Sequence, residues 1–487
     1  MRGAIAAGHP LTAEAGARVL EAGGNAVDAC VAAAFVSWIA ESPLSGPGGG
    51  GFMLVHKDGR SRLLDFFVSV PGSGTHRPAA PMEEIDVVFE GDSSQVFRIG
   101  ASAAAVPGVL AGLEHAHRAG GTLPWNELVA PAVELARDGV ELNRAQAYLH
   151  AILDVILRHT PEGRRIYGRE GRLLPGERLV QRELGDTLER IGERGSAELY
   201  CGETGRALVE HVQAGGGLIT RRDLEGYRVI RRRPVGARYH GHEFRSNPPP
   251  SSGGVLIAVG LKRLEPSDGS LGSAEALAAV AEAMRAQTAA REGSFTAQLY
   301  RGGLAKRLLS GTTHISVIDR NGDAASLSSS LGSGSGIIIP GTGIHLNNML
   351  GEYDLAGTGR VGERLTSMMA PSVLLRDGRP RLVLGSAGSV RLRGAIMQVA
   401  VNVVAHGLGV REAIDAPRVH LQDAVLHCEG GADPAELDRL ESLGWELVRW
   451  KRRNLYFGGV AAVEVRGDGS LAAAGDPRRG GHGVVVE

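Results

Sequence analysis

The chain has 487 residues, 43% of them hydrophobic, with 53 basic and 54 acidic side chains and a net charge of -1. A balance this even argues against a nucleic-acid or membrane-surface role. The three cysteines, Cys30, Cys201 and Cys428, are odd in number and lack a CxxC spacing, which argues against a disulfide framework or a zinc site.

Length alone suggests two or three domains. Glycine, at 71 residues, is well above the usual share of about 7% and falls in clusters such as 48–51 and 215–217 rather than with a period. These clusters read as packed turns. The chain opens Met1-Arg2-Gly3-Ala4 without a charged, apolar and cleavable leader, so a cytoplasmic location is expected. The most apolar run, 29–40, is too short to span a bilayer.

In chain order, 11–22 and 25–39 read as helices split by Gly23-Gly24, the second apolar almost all round and hence buried. Residues 48–51 turn into a strand at 52–55, which 62–68 pairs across Lys57-Asp58-Gly59. Helices are expected at 107–119, 123–138, 181–195 and 198–213, with Pro131 kinking the second or marking its true start. A β-rich region spans 227–245. It ends in irregular backbone at 247–254, where three prolines, two serines and two glycines follow Asn247. Residues 274–291 are helical. A strand starting at Thr312 turns at Asn321-Gly322, the strongest short hairpin signal, and returns over 324–331. A glycine-serine loop to Gly336, a strand at 337–339 and a strand into Asn347-Asn348 follow. Then come a strand at 381–384, helices at 392–406 and 433–443, and a closing hairpin at 459–473. Pattern alone supports a multilayered α+β class.

The chemistry concentrates at Leu309-Ser310-Gly311-Thr312-Thr313-His314. Thr312 Oγ1 can attack the Gly311 carbonyl, and hydrolysis of the resulting ester leaves Thr312 as a new N-terminus. Its free α-amine then serves as base for its own hydroxyl. Taken by spacing, Thr-Thr-His at a strand start is an ordinary hairpin. The run from Thr312 to Asp319, however, resembles the nucleophile segment of the gamma-glutamyltranspeptidase family, which are self-cleaving N-terminal nucleophile hydrolases. Further segments match in order: Gly8-His9-Pro10-Leu11, Gly23-Gly24-Asn25-Ala26-Val27-Asp28-Ala29, residues 48–52, residues 247–254, Leu346-Asn347-Asn348 and Gly385-Ser386-Ala387-Gly388. The similarity covers essentially the whole chain.

That resemblance implies a four-layer αββα sandwich, one intertwined domain cut into a large subunit, 1–311, and a small subunit, 312–487. It implies Thr312 as nucleophile and amine base, with hydroxyls near it at Thr313 and at Ser330, where the family usually has threonine. Strand serines and threonines are otherwise simply bonded to neighbouring backbone. The oxyanion hole is implied at the amides of Gly388 and Ser389, the second replacing a family glycine; such donors contribute roughly 3 kcal/mol each. The linker between the 274–291 helix and Thr312 is shorter than the family pattern.

The donor pocket departs from that pattern. Family members hold a glutamyl α-carboxylate with an arginine and two serines; here those positions align with Phe67, Ser367 and Met368. The asparagine, glutamine and aspartate that meet the α-amine align with Gly332, Met349 and Glu352, and only Glu352 keeps its chemistry. Phe67, Met349 and Met368 together would replace a polar clamp by an apolar wall. A carboxylate desolvated without its arginine costs several kcal/mol, so a glutamyl donor should bind poorly unless Arg364, Arg391 or Arg393 reaches it.

The reading is therefore a self-processing threonine hydrolase or acyltransferase acting on a less polar small-molecule donor through an acyl-enzyme. Ordinary glutathione hydrolysis or gamma-glutamyl transfer is an alternative. So are a C–C bond-cleaving hydrolase of natural-product biosynthesis, by analogy with family relatives, and an uncleaved scaffold protein. No metal spacing such as HExxH and no phosphate-binding glycine motif is present, so no metal or cofactor is expected.

Overall fold

The computed structural model describes residues 2–88, 94–264, 269–292, 311–352 and 360–487. Two antiparallel sheets pack face to face. The larger has seven strands in the order His482–Val486, Gly3–Ala7, Gly311–Asp319, Ala324–Gly332, Gly50–Lys57, Arg60–Phe66 and Ile230–Arg232. The smaller has six, in the order Leu471–Gly475, Gly459–Val465, Arg379–Ala387, Ser372–Arg376, His242–Ser246 and Val235–Tyr239. In both sheets, strands from before and after residue 311 are neighbours, so the two parts of the chain are interleaved.

Helices close both outer faces. Pro10–Glu21 and Ala26–Ala40 lie on the larger sheet, with Trp125–Asp138 and Arg182–Arg194 packed outside them. Gly253–Arg263 and Leu392–Val404 lie on the smaller sheet, with Ala274–Glu292 packed against them. This is the expected αββα order. Three apolar clusters follow from it: one under each helical layer and one between the sheets that includes Phe52, Phe67, Ile318, Met349 and Val383.

Local sequence explains the parts nearest the site. Asn25 caps Ala26–Ala40 in a capping box with Asp28, and every residue of that helix is buried, as its unbroken apolar run requires. At the hairpin, Asp319 Oδ1 accepts from the amides of Asn321 (2.8 Å) and Asp323 (3.2 Å) while Oδ2 accepts from Ala26 (3.0 Å). One carboxylate thus fixes the turn and ties it to the helix start.

Several boundaries differ from the sequence expectation. The helix expected at 198–213 is two, Ala197–Tyr200 and Glu203–Ala214. The buried Glu198 carboxylate turns inward at the break and receives the Thr204 hydroxyl at 2.7 Å. Pro131 neither starts nor ends its helix, Trp125–Asp138, because Leu128, Val129, Ala132 and Val133 are buried around it. The irregular segment stops at Ser252: Gly253 already begins a helix whose Leu256, Ile257 and Leu261 enter the core. The short linker before Thr312 lies outside the described residues.

Candidate active site

Thr312 sits where the pairing of the Gly311–Asp319 and Ala324–Gly332 strands slips. Gly311 faces Gly332 and Thr313 faces Ser329, so Ser330 and Leu331 together oppose Thr312. Such a bulge re-aims a side chain, and here it turns Ser330 toward Gly311. Ser330 Oγ donates to the Gly311 carbonyl and accepts from the Gly332 amide at 2.8 Å. The bulged Leu331 amide leaves the ladder to bond the Leu44 carbonyl at 3.1 Å. Thr312, Thr313 and Ser330 are all buried.

Behind Thr312 lies a carboxylate that the motif comparison did not single out. Thr313 Oγ1 donates to Glu41 Oε2 at 2.6 Å and Thr12 Oγ1 to Glu41 Oε1 at 2.9 Å. Burial pushes the Glu41 carboxyl up to about 7, against the pull of those two hydrogen bonds and of the Arg479 charge. Gly8 makes the approach possible, since a Cβ there would stand 2.3 Å from Glu41 Oε2. Arg479 is buried too, and its Nε and Nη2 have no hydrogen-bond partner. A small cavity of about 20 Å³ is bordered by Glu41, Thr312, Thr313, Asp476 and Arg479. A sequence signal for Glu41 existed: it is an acid at the C-terminal end of a buried helix that is apolar from Ala29 on except for Ser37, and charged residues are rarely buried without a reason. Arg479, in the Pro477–Arg479 turn, carried none.

His314 does not face solvent or a ligand. Its Nδ1 meets Ser328 Oγ at 2.8 Å and its Nε2 meets Ser316 Oγ at 2.9 Å, and Ser316 Oγ donates to Ala461 on the facing sheet. Burial lowers it to about 3, so it is a neutral bridge between the two sheets.

The turn after Arg379–Ala387 holds Gly388 at φ 127° and Ser389 at φ 56°, followed by helical residues from Ser389 onward. Amides at the start of a helix have no intrahelical acceptor and point outward. Serine tolerates this left-handed conformation at some cost, and its amide stays available. Arg479 reaches this turn as well: its Nη2 lies 3.5 Å from where a Gly388 Cβ would be.

The donor-pocket positions divide. A Cβ on Gly332, at φ 72°, would stand 2.2 Å from Asn348 Oδ1 and 2.7 Å from Glu352 Oε1, so Gly332 and Glu352 are neighbours beside the Gly311 end of the hairpin. Phe67 stacks on Phe52 with centroids 5.3 Å apart and shares the inter-sheet cluster with Met349. Met368 instead belongs to the cluster under the helices of the smaller sheet, where Ser252 Oγ meets its sulfur at 2.9 Å. Phe67 and Met349 are thus core neighbours between the sheets, whereas Met368 packs in a different cluster, so the three do not form one continuous surface. Ser367 Oγ accepts from the Met369 amide at 3.1 Å.

None of the three candidate arginines is uncommitted. Arg364 pairs with Asp65 at 3.5 Å and lies 4.2 Å above the Tyr227 ring, whose hydroxyl donates to the Phe67 carbonyl at 2.6 Å. Arg391 lies 4.3 Å above the Tyr456 ring, and Arg393 donates to Thr288 Oγ1 at 3.1 Å. Among the described residues there is no cluster of three or more metal-ligating side chains and no helix long and apolar enough to cross a membrane.

With this geometry in hand, comparison with known proteins places the chain. The Gamma-glutamyltranspeptidase family model matches residues 12–310 and 292–486. An acylase ACY 1 proenzyme of Pseudomonas sp. (strain SE83) is 33% identical over 532 residues, covering 100% of this chain and 94% of that protein. A glutathione hydrolase proenzyme of Escherichia coli (strain K12) is 32% identical over 534 residues, covering 98% of this chain and 90% of that protein. The crystal structure of a cephalosporin acylase from Bacillus halodurans has the same fold, with a TM-score of 0.84 at 23% identity, covering 100% of this chain and 96% of that one.

Proposed function

The chain belongs to the gamma-glutamyltranspeptidase family of N-terminal nucleophile hydrolases, and from that footing we propose that it is a self-processing threonine acylase whose donor is less polar than a gamma-glutamyl group. Thr312 Oγ1 attacks the Gly311 carbonyl, whose oxygen is already hydrogen-bonded by Ser330. The C–N bond gives way to an ester, and water then releases residues 1–311 from 312–487. The new Thr312 amine takes the hydroxyl proton when Oγ1 attacks a donor carbonyl. Charge that develops on the donor oxygen is met by the Gly388 and Ser389 amides. The leaving group departs with a proton, and water or an amine then frees the acyl group.

The observation that carries the donor assignment is the pairing of Phe67 and Met349 inside one apolar cluster. The family resemblance implies an arginine and a glutamine at these two positions. An acyl chain loses little by entering such surroundings, whereas a carboxylate loses its hydration without a partner. Acylase activity in a relative is in keeping with this reading.

A second reading, ordinary glutathione hydrolysis, is favoured by one feature: the Glu352 carboxylate beside Gly332 suits a donor α-amine. The two readings separate on processed protein assayed with gamma-glutamyl-p-nitroanilide and a straight-chain N-acyl-p-nitroanilide. An acylase gives kcat/KM at least tenfold higher for the acyl compound; the reverse preference assigns glutathione chemistry.

A further inference from the structure

The liberated amine cannot be the base for its own liberation. Until Gly311–Thr312 is cut, the Thr312 nitrogen is an amide, so the first proton must go elsewhere. We propose that Glu41 receives it, through a water in the cavity behind Thr312. The inference rests on the self-cleavage reading above and adds to it the group that starts the reaction.

Three observations converge. Glu41 is fixed from both sides by Thr12 and Thr313, the second being the residue next to the nucleophile. Glu41 accepts the Thr313 hydroxyl rather than that of Thr312. The cavity joins them, since both border it. Its volume of about 20 Å³ accommodates one water, which needs roughly 10–15 Å³. Finally, the buried Arg479 Nε and Nη2 lack partners, and unmet donors of this kind mark a place for an oxygen ligand.

The charged and titratable groups around Glu41 are Arg479 and Asp476 from the Asp476–Gly480 turn and His314 from the strand. His314 is neutral. Asp476 is held as a carboxylate, its burial outweighed by Arg418 and Arg478. Glu41 is then the one group of this set that changes charge near neutral pH, where a general base is most effective.

The proton balance is as follows. The Thr312 hydroxyl proton passes through the water to the Glu41 carboxylate as the Oγ1–C bond forms at Gly311. The same proton is returned through the water to the Thr312 nitrogen as the C–N bond breaks. This leaves an ester, a free amine and an ionised Glu41. Hydrolysis of the ester by a second water regenerates the hydroxyl.

The test is a pulse-chase of cell-free synthesised chain at pH 6, 7 and 8, followed on denaturing gels, for wild type, Thr312→Ala, Glu41→Gln and Thr313→Val. The expected wild-type rate rises through about pH 7 and levels off. Glu41→Gln is slowed roughly 100-fold, with a rate that climbs steadily with pH and no plateau. Thr313→Val still cuts, with its midpoint moved to higher pH because the carboxylate has lost a stabilising donor. Glu41→Gln cutting at the wild-type rate with the wild-type profile overturns the assignment to Glu41. Should Glu41→Gln misfold, as read by its melting transition, an unmoved midpoint in Thr313→Val overturns it. No cutting by wild type is a different result: it removes the self-cleavage reading itself.

Discussion

The hydroxyl of Ser330 donates to the carbonyl oxygen of Gly311, across a bulge that sets two residues against Thr312. In the proposed self-cleavage, the carbonyl oxygen under attack is therefore held before any proton moves. Ser330→Ala removes the donor but leaves the strand pairing. Processing should slow about 100-fold, the usual effect of losing one such donor, and Ser330→Thr should restore it. Band intensities on a denaturing gel at fixed times after synthesis give the rates.

Gly332 closes the same hairpin at φ 72°, and its amide holds Ser330 Oγ. Gly332→Ala adds a Cβ 2.2 Å from Asn348 Oδ1 in a conformation that L-residues resist. Both processing and stability should fall, the latter by about 1–3 kcal/mol. Denaturant midpoints, read in a Thr312→Ala background so that the chain stays intact, isolate the stability part.

Five elements of the sequence pattern were legible without coordinates because each is a local rule: the Asn321-Gly322 turn, the 25–39 helix that is apolar almost all round, the glycine turn at 48–51, the threonine pair at the strand start and the 392–406 helix. The site's second half was not. Glu41 reaches Thr313 across 272 positions, and Arg479 comes from the far end of the chain. Likewise His482–Val486 becomes a strand only because Gly3–Ala7 offers it an edge. Met368 aligned with a site residue, yet its neighbours in space put it on another face. Alignment gives a position in the chain, whereas only the fold gives its side of the sheet.

Burial keeps His314 lowered to about 3, and His9, His150 and His345 lowered to about 4. In the unfolded chain these rings titrate near 6.5. Between pH 4 and 6.5 the unfolded state binds more protons, so stability rises with pH across that window and is fully present above it. Glu41, raised to about 7, contributes the opposite slope from about pH 4.5 upward, but the lowered histidines outnumber it. Denaturant midpoints of the Thr312→Ala chain should therefore increase from pH 4 to 6.5. His314→Asn should flatten the rise.

Met349 stands in the apolar cluster with Phe67, at a position where the family resemblance implies glutamine. Met349→Gln, of similar length, should lower kcat/KM for an N-acyl anilide about tenfold, since an amide placed there must be desolvated. It should raise the gamma-glutamyl rate relative to the acyl rate. Equal losses on both substrates would show that Met349 does not distinguish donors.

The most direct measurement is the intact mass of freshly purified protein, followed by N-terminal sequencing of every species. Wild type should give two fragments, one ending at Gly311 and one beginning with Thr312, and Thr312→Ala a single chain of 51.0 kDa. A wild-type preparation that remains one folded 51.0 kDa chain, or that is cut at any other bond, contradicts Thr312 as the self-liberating nucleophile.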